Sequence, residues 1–189
     1  MNEHRMPNGH LVSGRIESPT QAMKGLEPGA ILSGLYDGSW TLVDMLFEIL
    51  KVTGPSDITL STWTHKGAKI DHLMMMVQNE NVRSLKLLVN ENFSDNNVKV
   101  VSTLERKYGA GCVMEWRAHS KFATVINGAF DVLYLPSANL DTTLRMEAFT
   151  LIGGLNAARE YLAFAKDVLY KPSQKRRFSR DGLTKEIKE

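Results

Sequence analysis

"RAHSKFATVINGAFDVLYLPSANLDTTLRMEAF", residues 117–149, contains the strongest structural signal in the sequence. After Lys121 it carries an apolar run, the pair Asn127-Gly128, and a second apolar run that ends at Pro136. An Asn-Gly pair between two such runs is a strong short-range signal for a β-hairpin, because both residues accept the positive φ of a tight turn. The stretch therefore predicts two antiparallel neighbours in a sheet.

Polar groups mark both ends of this hairpin. His119 and Lys121 are two residues apart, so on a strand they point to the same face. Ser137 and Asn139 have the same spacing after the returning strand. The two ends would meet and bring together an imidazole, an ammonium, a hydroxyl and an amide. That set suits a phosphate, because the lysine attracts its charge, the hydroxyl and amide donate hydrogen bonds, and the imidazole can attack or transfer a proton.

Strands and helices alternate along the first half of the chain. A helix that Ser39 or Asp37 caps, and that Gly54 ends, is one example. Alternation favours βαβ crossovers, so we expect an α/β fold with a mixed, mostly parallel sheet sandwiched between helices. The predicted strands lie within 28–39, 57–64, 82–89, 111–137 (three strands) and 146–153, and the predicted helices within 39–54, 66–80, 97–109 and 155–170.

Three segments differ in composition. Residues 1–27 are polar and aperiodic and predict a loosely attached arm, residues 28–170 hold the α/β domain, and residues 171–189 form a basic tail. The tail has seven basic and three acidic residues, a net charge of +4, whereas the other 170 residues have a net charge of −2. The tail is either a solvated, flexible segment or a mobile arm that binds phosphates, and the sequence leaves both open.

Composition argues against several classes of protein. No apolar run approaches the ~20 residues that cross a bilayer, and the first residues lack the apolar core of a signal peptide. The single cysteine, Cys112, cannot form an internal disulfide and suits the reducing cytoplasm, where we expect the protein. We see no glycine-rich phosphate loop and no Cys or His cluster with metal-ligand spacing. We therefore expect no cofactor, no metal and no membrane partner.

The combination of His-x-Lys, a hairpin and Ser-Ala-Asn-Leu resembles the HKD motif of the phospholipase D superfamily. The ending, in which Arg145, Glu147 and Phe149 follow Ser137 and Asn139, is similar to single-motif members of phage and prophage origin. The resemblance covers about residues 30–170 and implies a phospholipase D-like domain. It also implies a metal-independent phosphodiesterase, and the basic tail favours a nuclease over an enzyme that acts on lipids.

The resemblance implies a role for each site residue. His119 would attack phosphorus and form a phosphohistidine that water then releases. Lys121 and Asn139, together with Ser137, would hold the charge that builds on the phosphoryl oxygens. Glu147 would orient His119 by accepting a hydrogen bond from the other ring nitrogen.

The chemistry requires a second histidine, which the chain does not supply in a second motif. His65 and His72 lack a lysine two residues later, and we interpret them as a loop residue and a helix-surface residue. Single-motif members of the superfamily pair two chains across a two-fold axis. The resemblance therefore implies a homodimer with one shared site.

Two positions depart from the motif. Ile126 stands where the family has an aspartate, and Pro136 stands where it has a glycine and removes a backbone N–H. These departures leave a second hypothesis open, in which the same fold is a catalytically impaired module that binds DNA or protein. A third hypothesis, a phosphatidyl transferase or lipase, predicts an apolar rim near His119, which the sequence does not show.

Overall fold

The computed structural model describes residues 2–6, 9–63, 74–76, 78–116, 119–140, 145–154 and 156–169, with side chains from residue 16 to residue 167. None of the described helices is long and apolar enough to cross a bilayer. The strands are β1 (Asn2–Met6), β2 (Gly9–Arg15), β3 (Ile31–Tyr36), β4 (Ser56–Ser61), β5 (Val82–Val89), β6 (Val113–Glu115), β7 (Phe122–Ile126), β8 (Val132–Pro136) and β9 (Glu147–Gly153). The helices are α1 (Pro19–Ala22), α2 (Leu42–Thr53), α3 (Phe93–Asn96), α4 (Val98–Tyr108) and α5 (Ala157–Leu169), and residues 74–76 are also helical.

All nine described strands form one sheet, in the order β1-β2-β3-β9-β8-β7-β4-β5-β6. The predicted mixed sheet is confirmed, and six of these nine strands run in one direction. Parallel pairing is nevertheless limited to β2–β3, β4–β5 and β5–β6, and the other five described pairs are antiparallel. The reason lies in the centre of the sheet, where β7, β8 and β9 follow one another without a crossover helix. Such short connections join antiparallel neighbours.

The sheet separates two apolar layers, as a sandwich between helices requires. Ala123 and Val125 of β7 point into the main core, which the apolar face of α2 covers. Phe122 points to the opposite side and packs with Leu88 and with Ala165 of α5. Alternation along one strand thus serves both layers. Each large apolar side chain that is fully buried contributes about 1.5–3 kcal/mol to stability.

The start of α2 differs from the prediction. Thr41, rather than Ser39 or Asp37, is the N-cap: its Oγ1 accepts from Asp44 N at 3.2 Å, and the Asp44 carboxylate accepts from Thr41 N at 2.7 Å. This reciprocal arrangement needs an acid three residues after the cap, which neither earlier residue has. Gly54 ends the helix as predicted, with a φ of 72°.

The polar segment 1–27, predicted as an arm, contains regular structure. It includes β1, β2 and α1, which Ser18 caps. β2 pairs with β3, and β1 pairs with β2. Backbone hydrogen bonds alone can extend an open sheet edge, so strands form there without an apolar period. The tail 171–189 and most of the predicted helix 66–80 lie outside the described residues.

The hairpin is confirmed, with a loop at residues 127–131 between β7 and β8. The Asn127 side chain accepts hydrogen bonds from the N–H groups of Ala129 and Phe130, each at 2.8 Å. Asp131 accepts from the N–H groups of Asn127 and Gly128, each at 3.0 Å. The φ of Gly128 is 90°, a conformation that favours glycine. Local polar contacts therefore hold the turn that the Asn-Gly pair predicts.

Candidate active site

The ends of the hairpin strands meet at one edge of the sheet, the edge formed by the ends of its strands and not by an outermost strand. β7 begins immediately after Lys121, β8 ends immediately before Ser137, and β9 begins at Glu147. Because β8 runs antiparallel to both neighbours, the start of β7, the end of β8 and the start of β9 share this edge. It is also where β3 and β4 end, at Tyr36 and Ser61. We call it the site edge.

His119 and Lys121 lie side by side there. They precede β7 rather than belonging to it, but the chain still alternates: Ser120 points away and accepts a hydrogen bond on its carbonyl from Ser61 Oγ at 3.0 Å. Lys121 Nζ lies 2.9 Å from His119 Nδ1 and 3.2 Å from Nε2. The imidazole is exposed and the lysine is half-buried. The structure therefore brings the predicted nucleophile and its cation into contact.

Burial lowers the pKa of Lys121 below that of an exposed lysine. The negative charge of Glu147 opposes this shift and the positive charge of Arg145 adds to it. Both charges are therefore close enough to act on the ammonium. Among the described residues, the site edge combines two cations, Lys121 and Arg145, with the carboxylate of Glu147.

Glu147 is held by two side chains of the site edge, those of Ser137 and Arg145. Its side chain is 5% exposed; Oε2 accepts a short hydrogen bond from Ser137 Oγ, and Oε1 accepts from Arg145 Nε at 3.0 Å. Ser137 Oγ also accepts from Ala148 N at 2.8 Å, since Ser137 continues β8 beside β9. The described contacts thus pair Glu147 with Ser137 and Arg145, and its predicted hydrogen bond with His119 stays a prediction. The carboxylate anchors a phosphate-binding hydroxyl and a guanidinium.

Asn139 lies in the loop that follows β8. Its carbonyl accepts a hydrogen bond from Leu42 N at 3.4 Å and so joins the loop after β8 to the first turn of α2. Its Oδ1 is buried and has no hydrogen-bond partner among the described residues. No described contact connects Asn139 with the other four predicted site residues. Its predicted role in binding phosphoryl oxygens stays a prediction.

Two buried tyrosines lie beneath Glu147 on the side of the sheet that faces α2. Tyr36 pairs across the strands with Glu147, and Tyr134 lies on β8. Burial is the main cause that raises the pKa of both phenols, and the charges of Glu147 and Asp44 raise it further. Both hydroxyl oxygens are buried without a hydrogen-bond partner in the described part of the chain. The phenols therefore form a neutral polar layer between the carboxylate and the core.

Trp63 is a neighbour of His119 that the sequence reasoning missed. It follows β4, and its ring centroid lies 5.3 Å from that of His119 with an interplanar angle of 53°. The sequence gives no direct reason to place it there, because a tryptophan is more often buried in a core than exposed at a site. The signal that could have placed it there is the pairing of β4 with β7. Trp63 lies just past the end of β4, and His119 lies just before the start of β7.

The departure at Ile126 lies at the opposite edge. Seven residues of extended chain separate it from His119, which is about 20 Å. The buried carboxylate at that edge is Asp131, which is 8% exposed and holds the hairpin loop as well as Arg159 Nε, at 2.6 Å. Asp131 therefore supports the hairpin loop, at the end of β7 that lies away from the site. Pro136 is buried in β8 beside Phe149 of β9.

The sequence matches no protein-family model and no curated protein. Similar solved structures include Nuc from Salmonella typhimurium, described as a phospholipase D family member, at 13% identity over 72% of this chain and 91% of that chain, with a TM-score of 0.49. Polyphosphate kinase from Porphyromonas gingivalis is 15% identical over 78% of this chain and 27% of that chain, with a TM-score of 0.50. The likeness to the kinase shows a shared fold alone. At such identities the likeness carries no residue roles.

Metal ligation has no obvious place in the described part of the chain. Within the described ranges, no three His, Cys, Asp or Glu side chains converge as a group that could hold a metal ion.

A cavity of about 730 Å³ runs along α2 and includes Trp40, Phe47 and Met75 in its lining. It does not include His119 or Lys121.

Proposed function

We propose that the protein is a metal-independent phosphodiesterase, specifically a nuclease, with His119 as its nucleophile. The observation that carries this proposal is the contact between His119 and Lys121 at an exposed edge of the sheet. A nucleophile with a cation beside it is the minimum that phosphoryl transfer requires. The resemblance of His-x-Lys and Ser-x-Asn to the HKD motif adds independent support.

In the proposed reaction, a ring nitrogen of His119 attacks phosphorus and the bond from phosphorus to the leaving oxygen breaks. The leaving oxygen takes a proton from a general acid. Water then gives a proton to the now deprotonated general acid and attacks the phosphohistidine, and cleavage of the P–N bond regenerates the imidazole. Lys121 stabilises the negative charge on the phosphoryl oxygens, which is the electrostatic part of catalysis.

Arg145 supplies the second positive charge. Glu147, which is buried, holds its Nε and leaves the guanidinium 64% exposed at the site edge. Ser137 is exposed and anchored by the same carboxylate. We therefore assign Glu147 a positioning role: it fixes the two groups that face the phosphate.

The general acid is His119 of a second copy, because each chain has one motif. The site edge leaves the first imidazole exposed, as a two-fold arrangement requires. The basic tail 171–189 is proposed to add salt-sensitive affinity for nucleic acid.

One observation favours the alternative, a module that binds phosphate without cleaving it. Lys121 Nζ lies close to both ring nitrogens of His119, so the ammonium must move before either nitrogen can attack. In such a module the pair would recognise a nucleic-acid phosphate as a static cationic site.

A cleavage assay separates the two functions. His119→Ala should reduce cleavage of single-stranded or duplex DNA, or of RNA, by several orders of magnitude, and EDTA should leave the wild-type rate unchanged. Lys99→Ala, which removes an exposed lysine from α4, is the matched control and should retain full activity. Retained cleavage in the His119 variant would refute the nucleophile. Phosphate-dependent binding without cleavage by the wild type would establish the alternative.

A further inference from the structure

We propose that Trp63 is a specificity-determining residue that stacks on an unpaired base next to the scissile phosphate. The inference rests on the proposed function, cleavage of a nucleic-acid phosphodiester at His119. It adds a substrate class: single-stranded nucleic acid in preference to duplex.

The position of Trp63 is fixed by the sheet. Ser61 pairs with Phe122, and the next residue, Thr62, is buried and donates its N–H to the Leu88 carbonyl at 3.0 Å. The backbone therefore stays attached to β5 up to the residue before Trp63. Because β4 and β7 are antiparallel, residues just past the end of β4 lie beside those just before β7. This register places the indole next to His119.

Trp63 differs from the other two tryptophans of the chain. Trp40 is 5% exposed and stacks on Tyr36 with 3.5 Å between centroids. Trp116 packs against the smaller core layer with Phe122. Trp63 is partly exposed, and its ring lies against that of His119. Its indole is therefore accessible beside the predicted nucleophile.

The geometry suits a base beside the reacting phosphate. At a tilt of 53°, the imidazole does not stack face to face on the indole. A phosphorus atom bound to His119 holds its nucleoside one sugar away, which is the order of distance that separates the two rings. Lys121 and Arg145 supply the positive charge that the backbone requires. Aromatic platforms next to cationic groups are the usual means of binding single strands.

Stacking on Trp63 requires a base that has left its own stack. In a duplex that step costs several kcal/mol, whereas a single strand offers its bases at little cost. The same contact that adds affinity for a single strand thus discriminates against a duplex.

The test compares Trp63→Ala and Trp63→Phe with the wild type on two single strands. One strand has normal bases, and the other has abasic sugars on both sides of the scissile phosphate. We expect Trp63→Ala to lower kcat/KM about ten- to hundredfold on the normal strand and to leave the already slow abasic strand unchanged. Trp63→Phe should retain most of the wild-type rate. Equal losses on both strands would overturn the inference, because they would mean that Trp63 only supports His119.

A binding measurement separates failure of this inference from failure of the proposed function. In His119→Ala, addition of a single-stranded oligonucleotide should quench indole fluorescence, and Trp63→Phe in the same background should remove the quenching. Quenching by a wild type that cuts nothing would refute the nuclease and uphold the stacking. If the wild type cleaves but the oligonucleotide does not quench the indole fluorescence, the nuclease proposal is upheld and the stacking is refuted. Thermal unfolding of each variant verifies that it folds.

Discussion

At the scale of a single residue, two opposing effects act on the pKa of Lys121. Its half-buried ammonium loses hydration, and only the charge of Glu147 compensates in part, so its pKa is lowered. A bound phosphate would add the missing negative charge and favour the protonated form. Anion binding and protonation of Lys121 are therefore linked, and each should strengthen the other.

This linkage predicts how binding depends on pH. Lys121 attracts a phosphate only when it is protonated. The affinity of His119→Ala for an oligonucleotide should therefore be highest at low pH and decline as pH rises through the Lys121 pKa. That decline should start at a lower pH than an exposed lysine, with its pKa near 10.4, would give. Adding Lys121→Arg should remove the decline, because arginine stays charged. Titrations followed by fluorescence anisotropy measure both variants, and coincident profiles would contradict the assignment.

Site residues differ in how far the sequence could predict them. The His119–Lys121 contact follows from a two-residue spacing, which any extended backbone converts into a shared side. The partners of Glu147 do not follow from spacing. They depend on Ser137 continuing β8 beside β9, which is a tertiary relation between two strands. Trp63 was missed because its contact crosses from β4 to β7, and composition alone assigns a tryptophan to the core.

At the scale of helices and strands, the hydrophobic periodicity of the sequence predicted those elements that have one buried face. β5 has the bounds that its apolar pattern gave, and α4 ends before Gly109 as predicted, because both elements have one buried face. β1 and β2 were missed because pairing at a sheet edge leaves no such pattern. The antiparallel centre of the sheet was underestimated because strand alternation with helices dominates only the first half of the chain.

The hairpin gives a prediction at this scale. Asp131 accepts two backbone N–H groups and pairs with Arg159 while nearly buried, so Asp131→Ala should destabilise the protein by about 2 kcal/mol. Urea unfolding measures this loss.

Ile126→Asp should not raise activity, because the new carboxylate would lie far from His119 and directly opposite Asp57, where like charges repel. An increase in cleavage by Ile126→Asp would show that the motif aspartate acts at the site.

At the scale of the whole molecule, the described part of the chain presents the site at an edge of the sheet. His119 is exposed, and the described cavity along α2 lies elsewhere. The described residues of one chain thus offer a nucleophile, two cations and an aromatic ring at this edge. The proposed chemistry also requires a second imidazole and the exclusion of water from the reacting phosphate. A second copy, related by a two-fold axis, would supply both at once.

Mixing experiments test this assembly. If each active site needs His119 from both chains, wild-type chains that exchange freely with His119→Ala chains are active only when they pair with each other. Activity should then follow the square of the wild-type fraction, so an equal mixture should retain about a quarter of the rate of undiluted wild type. Chains that act alone would retain about half. Light scattering at micromolar concentration should give twice the chain mass in both proteins, which shows that the histidine is not needed for pairing. A linear dependence on the wild-type fraction would mean that the general acid comes from the same chain.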